Sequence, residues 1–177
     1  TIELYKKLFR VEPEIVAYDM HPEYLSTKFA LQTGSELGLS LVPVQHHHAH
    51  IASCLAENAV KGPAIGVAFD GTGYGGDGTI WGGEFLLADW HSFQRLGHLE
   101  YVPLPGGAAA IKKPYRMALS YLYILLGEDF SLEGLSMSKL HGVELDIIRQ
   151  QLRRRVNSPL TSSAGRLFDA VSALAGV

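Results

Sequence analysis

The chain has 177 residues, 47% hydrophobic and 19% charged, which suits one medium-sized domain with a buried core and excludes a disordered segment. Its 15 Lys and Arg against 18 Asp and Glu leave a net charge of −3, which gives no electrostatic footprint for a nucleic acid or an anionic membrane. The one cysteine, Cys54, excludes an internal disulfide, and no apolar run approaches the roughly 18 residues of a membrane span, so a reducing, cytoplasmic setting is expected.

Residues 2–10 read as an amphipathic helix without the apolar core of a signal peptide. Residues 14–18 are a short, nearly continuous apolar run, expected as a buried parallel strand that ends at Asp19-Met20-His21-Pro22. Pro22 suits a first helical position, and a helix over 23–32 is expected to stop at Gly34. Residues 39–44 form a second strand with Pro43 near its end. A helix over 48–59 follows, with Ile51, Ala52, Leu55 and Ala59 on its apolar side. Residues 64–69 are a third strand ending on Asp70. Five glycines between 71 and 78 predict a tight turn rather than the interior of an element. Residues 79–88 then return as the second strand of a hairpin, and 93–101 add another.

The stretch 103–107 breaks this pattern, and the shift from strands to helices there is the best internal boundary. Helical character runs from Ala108 to Gly127 and again over 143–156, where Arg153-Arg154-Arg155 suits a helix C-terminus through the helix dipole. A weaker Ser-, Gly- and Leu-rich segment at 131–140 lies between them, and Ser162 or Ser163 caps a last helix. The succession predicts an α/β fold with a mixed sheet flanked by helices. Helix-like sequence at both ends, closing uncapped at Val177, leads to the expectation of a piece cut from something longer.

The chemistry concentrates at His46-His47-His48-Ala49-His50, four of the eight histidines in five residues. On a helix, a four-residue step brings side chains within about 40° of one another, so His46 and His50 share a face and are able to chelate one ion. His47 and His50 are a second geometric possibility, whereas His48 points elsewhere. Neutral imidazoles suit Zn or Fe(II). Cys54 continues the row from His46 but reads as a small buried residue. Asp70 has two readings. It is either the carboxylate that completes a two-His, one-carboxylate set at the carboxyl ends of adjacent strands, or a turn-initiating Asp bonded to its own loop. Gly71, Thr72 and Gly73 offer converging amides and a hydroxyl for an anion, without a Walker A or dinucleotide pattern. Gly165 leaves room for a ribose or base beside the last helix, with Asp169 one turn on to accept from hydroxyls. The bland alternative is a capped helix start with Asp169 solvated. Lys112, Lys113 and Arg116 read as surface charge, with phosphate contact the alternative.

Five stretches in order resemble one family. They are Asp19-Met20-His21-Pro22-Glu23-Tyr24-Leu25-Ser26-Thr27, Val44-Gln45-His46-His47-His48-Ala49-His50-Ile51-Ala52-Ser53, Asp70-Gly71-Thr72-Gly73-Tyr74-Gly75 with Thr79-Ile80-Trp81-Gly82-Gly83-Glu84, Lys113-Pro114-Tyr115-Arg116-Met117-Ala118, and Ser162-Ser163-Ala164-Gly165-Arg166-Leu167-Phe168-Asp169-Ala170-Val171. Together they resemble the HypF carbamoyltransferases of nickel–iron hydrogenase maturation. The resemblance implies part of an actin-like, RNase H-like (sugar-kinase type) ATPase fold. Residues 1–103 would be an incomplete first lobe and 104–177 the helical start of a second. It implies carbamoyl transfer from carbamoyl-adenylate, made from carbamoyl phosphate and ATP, to the C-terminal cysteine of a HypE-like acceptor. His46 and His50 match the family's metal-binding histidines, Asp70 matches a metal-binding carboxylate of the related carbamoyltransferases, and nucleotide contact carries over to Gly71, Thr72, Gly73, Gly165 and Asp169. The family's acylphosphatase-like, zinc-finger and YrdC-like modules, and a further metal-binding Asp, have no counterpart in the chain. It is therefore expected to show little or no transfer alone. Alternatives are a tRNA threonylcarbamoyl-transferase, an antibiotic O-carbamoyltransferase, or an inactive docking half-domain.

Overall fold

The computed structural model describes residues 2–137, 140 and 142–177. In chain order these form α1 (Ile2–Phe9), β1 (Ile15–Asp19), α2 (Leu25–Leu37), β2 (Ser40–Val44), α3 (His46–Glu57), β3 (Ala64–Tyr74), β4 (Ile80–Ala88), β5 (Phe93–His98), β6 (Val102–Pro103), α4 (Ala108–Lys112), α5 (Tyr115–Leu126), α6 (Val143–Arg154), β7 (Leu160–Thr161) and α7 (Ala164–Ala175). Of the weak segment 131–140, Ser138 and Lys139 lie outside the described residues.

Two sheets organise these elements. β1 and β2 pair in parallel, with Asp19 opposite Val44. The second sheet is mixed: β3, β4, β7 and β6 lie in that order, β4–β7 is parallel, and β5 adds to β4. Strands on both sides of residue 103 enter this sheet, because Thr161 bridges Ile80 and Val102. α3 and α7 pack against it, α2 packs against β1 and β2, and the fold is the expected mixed α/β type.

Two apolar clusters hold the elements. One joins α3 to the sheet through Ile51, Leu55, Ala68, Trp81, Leu86 and Ala88. The other packs α5 and α6 on β6 and α7, with Met117, Leu119, Ile148 and Leu152 almost wholly buried. Each such large side chain contributes about 1.5–3 kcal/mol relative to exposure.

Several local expectations are corrected by packing. β1 is not buried: Ile15 is 60% exposed, since its sheet has only two strands among the described residues. α2 starts at Leu25 rather than at Pro22, and it runs through Gly34 to a left-handed cap at Gly38. Gly34 is kept inside the helix by close approach to Leu41. α3 starts at His46, two residues early, because the Gln45 side chain caps it by accepting from the His48 amide. Residues 71–74 are strand, not turn. β3 continues to Tyr74, and the turn is confined to residues 75–79, closed by the Gly75 amide on the Thr79 carbonyl. Cys54 is exposed, not buried. Arg116 is not a surface charge. Its side chain is 11% exposed and donates to the Pro105 carbonyl and to Gln151.

Candidate metal centre

The histidine stretch and Asp70 meet although their strands belong to different sheets, not adjacent strands of one. β2 delivers the chain into α3, whose first turn carries His46 and His50 on one face. Asp70 arrives from β3, at an irregularity and not at a strand end. There Asp70, Gly71 and Thr72 stand where β4 has the single residue Gly82, since Phe69 pairs Gly83 and Gly73 pairs Trp81. Such a bulge bends the strand and re-aims its side chains. It turns Asp70 toward α3.

Asp70 Oδ2 lies 3.0 Å from His46 Nε2 and 3.6 Å from His50 Nε2, and the two histidine nitrogens are 3.2 Å apart. One ligand atom from each of the three residues falls within 4.8 Å of the others. His46 and Asp70 are half-buried while His50 is exposed, so the cluster has an open side.

Asp19 was not among the expected ligands, yet it determines the state of His46. Its Oδ2 is 2.8 Å from His46 Nδ1. An ionised carboxylate only accepts, so Nδ1 carries a proton, and with no proton on Nε2 the ring presents a lone pair there to Asp70. Lone pair facing carboxylate is repulsive unless a positive charge lies between them. A proton on Nε2 satisfies that pair alone, whereas a metal ion also accounts for the convergence of His50 Nε2. Among the described residues, the polar neighbours of that atom are His46 and Asp70. A carboxylate behind a ligating imidazole is the usual outer support of a metal site. Asp19 is itself held by the His21 amide, 2.8 Å from Oδ1. Its sequence signal is its place at the end of β1, beside the end of β2 that leads into α3.

Electrostatics agree with the crowding of charge. Burial raises the Asp70 carboxyl, but the Gly71 amide and then the neighbouring His46 and His47 hold it below its ordinary value. The Tyr24 phenol is pushed up by burial, then by the negative charge of Asp19 and Asp70. His48 points away and pairs with the Asp89 carbonyl at 2.9 Å.

The remaining candidates sit beside this cluster. The Gly71 amide is already used, donating to Asp70 Oδ1 at 2.6 Å, while Thr72 is exposed and Gly73 is covered by the His47 ring. Ser163 caps α7 by accepting from the Arg166 amide, and its hydroxyl reaches the Asp70 carbonyl at 2.7 Å. Gly165 faces the backbone of β3, where a Cβ would come 2.8 Å from Gly71 Cα and 3.3 Å from the Asp70 carbonyl. Gly165→Ala is expected to lift α7 from the bulge and destabilise the chain by about 1–3 kcal/mol, read as a lower urea midpoint at unchanged slope. Asp169 lies 2.8 Å from Arg166 in an ion pair.

Two family descriptions match this chain. Residues 1–57 match a HypF Kae1-like domain, and residues 66–177 match the second subdomain of a carbamoyltransferase Kae1-like domain. The chain belongs to the HypF carbamoyltransferase family. It is 44% identical to carbamoyltransferase HypF2 of Cupriavidus necator over 97% of its own length and 21% of that relative. A crystal structure of full-length HypF, in a phosphate- and nucleotide-bound form, superposes with a TM-score of 0.88 at 51% identity, over 99% of this chain and 26% of that one. HypF of T. kodakarensis gives 0.85 at 39% identity over 98% and 24%. The chain thus spans roughly a quarter or less of these relatives. The fold is that of the HypF Kae1-like domain, an actin-like fold. No helix among the described residues is long and apolar enough to cross a membrane.

Proposed function

We propose that the chain is part of a carbamoyltransferase active site, with His46, His50 and Asp70 as ligands of a divalent Fe or Zn ion. The observation that carries this reading is the convergence of His46 Nε2, Asp70 Oδ2 and His50 Nε2, the first two 3.0 Å apart and the two imidazole nitrogens 3.2 Å apart. A bound ion there supplies Lewis acidity toward a carbonyl or phosphoryl oxygen.

The chain's own residues have separate tasks. Asp19 holds the His46 ring with its Nε2 toward the centre. The Gly71 amide fixes Asp70, and Ser163 ties the bulge to the start of α7. The backbone at Gly71 and Thr72, with Asp169 nearby, is proposed to face the nucleotide part of carbamoyl-adenylate, formed in the intact protein from carbamoyl phosphate and ATP, while Gly73 under the His47 ring and Gly165 against Gly71 hold that stretch in place. The nucleotide-bound HypF relative supports that assignment. An acceptor thiolate forms a C–S bond with the carbamoyl carbon as its C–O bond to the phosphate breaks and AMP leaves. We assign that thiolate to the C-terminal cysteine of a HypE-like partner in the cytoplasm. Cys54 lies two helical turns from His46 and is not a member of the ligand cluster.

The test is carbamoylation of a HypE-like acceptor by a full-length family protein carrying this domain, supplied with carbamoyl phosphate and ATP. Asp70→Asn is expected to abolish transfer while Cys54→Ser leaves it unchanged. Transfer that survives Asp70→Asn would sink the assignment.

A further inference from the structure

His47 lies on the inner side of the first turn of α3 and is 0% exposed. Its ring rests over Gly73, where any Cβ would overlap it, and stacks 6.4 Å from Trp81. Its Nε2 has no hydrogen-bond partner among the described residues, and Asp70 Oδ2 is 3.9 Å away. A buried polar atom without a partner is costly and uncommon. What this one requires depends on whether it carries a proton.

The Gln45 amide answers that. Its oxygen faces the His48 amide at 2.9 Å, a group that only donates, and its nitrogen faces the Tyr74 carbonyl at 3.3 Å, a group that only accepts. Turning the amide over would set donor against donor and acceptor against acceptor, so its orientation is determined by the backbone. The same nitrogen lies 3.2 Å from His47 Nδ1 and directs its other proton there. Nδ1 must therefore accept. A neutral imidazole that accepts at Nδ1 carries its proton on Nε2.

We infer that His47 is not a further imidazole ligand but a positioning residue: Gln45 locks it as the Nε2–H tautomer, and its buried donor holds the Asp70 carboxylate by closing onto Oδ2. The inference rests on His46, His50 and Asp70 being the metal centre. Asp70 Oδ1 is already fixed by the Gly71 amide at 2.6 Å. A donor on one lone pair of Oδ2 leaves the other directed at the two ligating histidines. Gly73 is small for the same reason, since the ring needs the space above it.

Long-range 15N–1H correlation on the metal-free, 15N-labelled chain reads the tautomer without reference to any ion. His47 is expected to show a protonated Nε2 and a bare Nδ1; the reverse overturns the inference. Zinc titration alone supplies the second readout. His47→Leu is expected to weaken uptake by about 10–100-fold, the range for a lost outer-shell partner. His47→Gln, whose amide nitrogen reaches the region of Nε2, should recover most of it. Equal affinities for the two variants contradict the donor role. Loss in His47→Leu as complete as in His46→Ala makes His47 a ligand and also contradicts it. Absence of uptake by the unsubstituted chain overturns the metal-centre reading and the role of the donor with it, but not the tautomer, which the spectrum decides by itself.

Discussion

His46→Ala and His50→Ala are each expected to weaken zinc binding by more than about 100-fold, beyond the 10–100-fold range of an outer-shell loss. Removing either leaves Asp70 with one imidazole, and one imidazole with one carboxylate makes no chelate on a helix face. Asp70→Asn should match them, because the amide keeps the shape but loses the charge that offsets the ion. Asp19→Asn is expected to fall between wild type and these variants. The amide there is able to accept from His46 Nδ1 through its oxygen, but without the negative charge behind the ring. Isothermal titration with Zn(II) ranks the four. His48→Ala serves as a control, since His48 is bonded to the Asp89 carbonyl, and is expected to leave affinity unchanged.

Glu84→Ala is expected to be the most damaging substitution for the fold, at about 3–5 kcal/mol, the range for removing one partner of a buried ion pair. Glu84 is 0% exposed. Both carboxylate oxygens are used: Oε1 accepts from the Gly82 and Gly83 amides at 3.1 and 3.2 Å and from the Ser162 hydroxyl at 2.5 Å, while Oε2 pairs with Arg95 at 2.6 Å. Arg95 in turn stacks over Trp81 at 3.9 Å and reaches Asp77 and the Tyr101 hydroxyl. The alanine variant leaves two buried amides and the inner side of the half-buried Arg95 beside an empty space. It also frees Ser162, next to the Ser163 that ties α7 to Asp70. Urea unfolding should show the loss, and metal uptake should weaken alongside it. Glu84→Gln fills the space but sets an N–H toward Arg95, so part of the loss remains.

The same residue makes stability depend on pH. Burial raises the Glu84 carboxyl, but Ser162, the Gly82 amide, Arg95 and the Gly83 amide together hold it below its ordinary value of 4.5. A carboxylate depressed in the folded state contributes stability that is fully present above the unfolded value and is lost as pH falls through the folded one. The stability gap between wild type and Glu84→Gln should thus be constant above about pH 4.5 and shrink below it. A gap that widens on acidification would contradict the depressed value. Asp77, depressed against its burial by Thr79 and Tyr101, adds to the same acid sensitivity.

The parts of this molecule legible in its sequence are those set by local pattern. The period and spacing at His46 and His50 place both on one helical face, and the apolar runs locate all the longer strands. The end of α3 and its first turn are less local. Gln45 caps the helix through its side chain, which moves the start to His46 and is what puts the first ligand on the helix at all. Glycine spacing misleads in the opposite direction. Gly71 and Gly73 look like turn residues but lie in a strand: Gly73 is small because the His47 ring crosses it, and Gly71 is the backbone against which Gly165 of α7 packs. The role of Asp19 depends on the pairing of β1 with β2, and that of Glu84 on β7 arriving from almost eighty positions later. No windowed pattern contains such contacts. Cys54 shows the limit from the other side. Its helical position matches the apolar face roughly, yet the face ends before it, and it stays exposed.

The most direct measurement is an anomalous-scattering map from crystals of the chain soaked in zinc. A single strong peak is predicted about 2.0–2.2 Å from His46 Nε2, His50 Nε2 and an Asp70 oxygen, with His47 Nε2 outside bonding distance. A peak on other side chains, or none at this cluster while zinc binds elsewhere, would contradict the metal centre on which the proposed function depends.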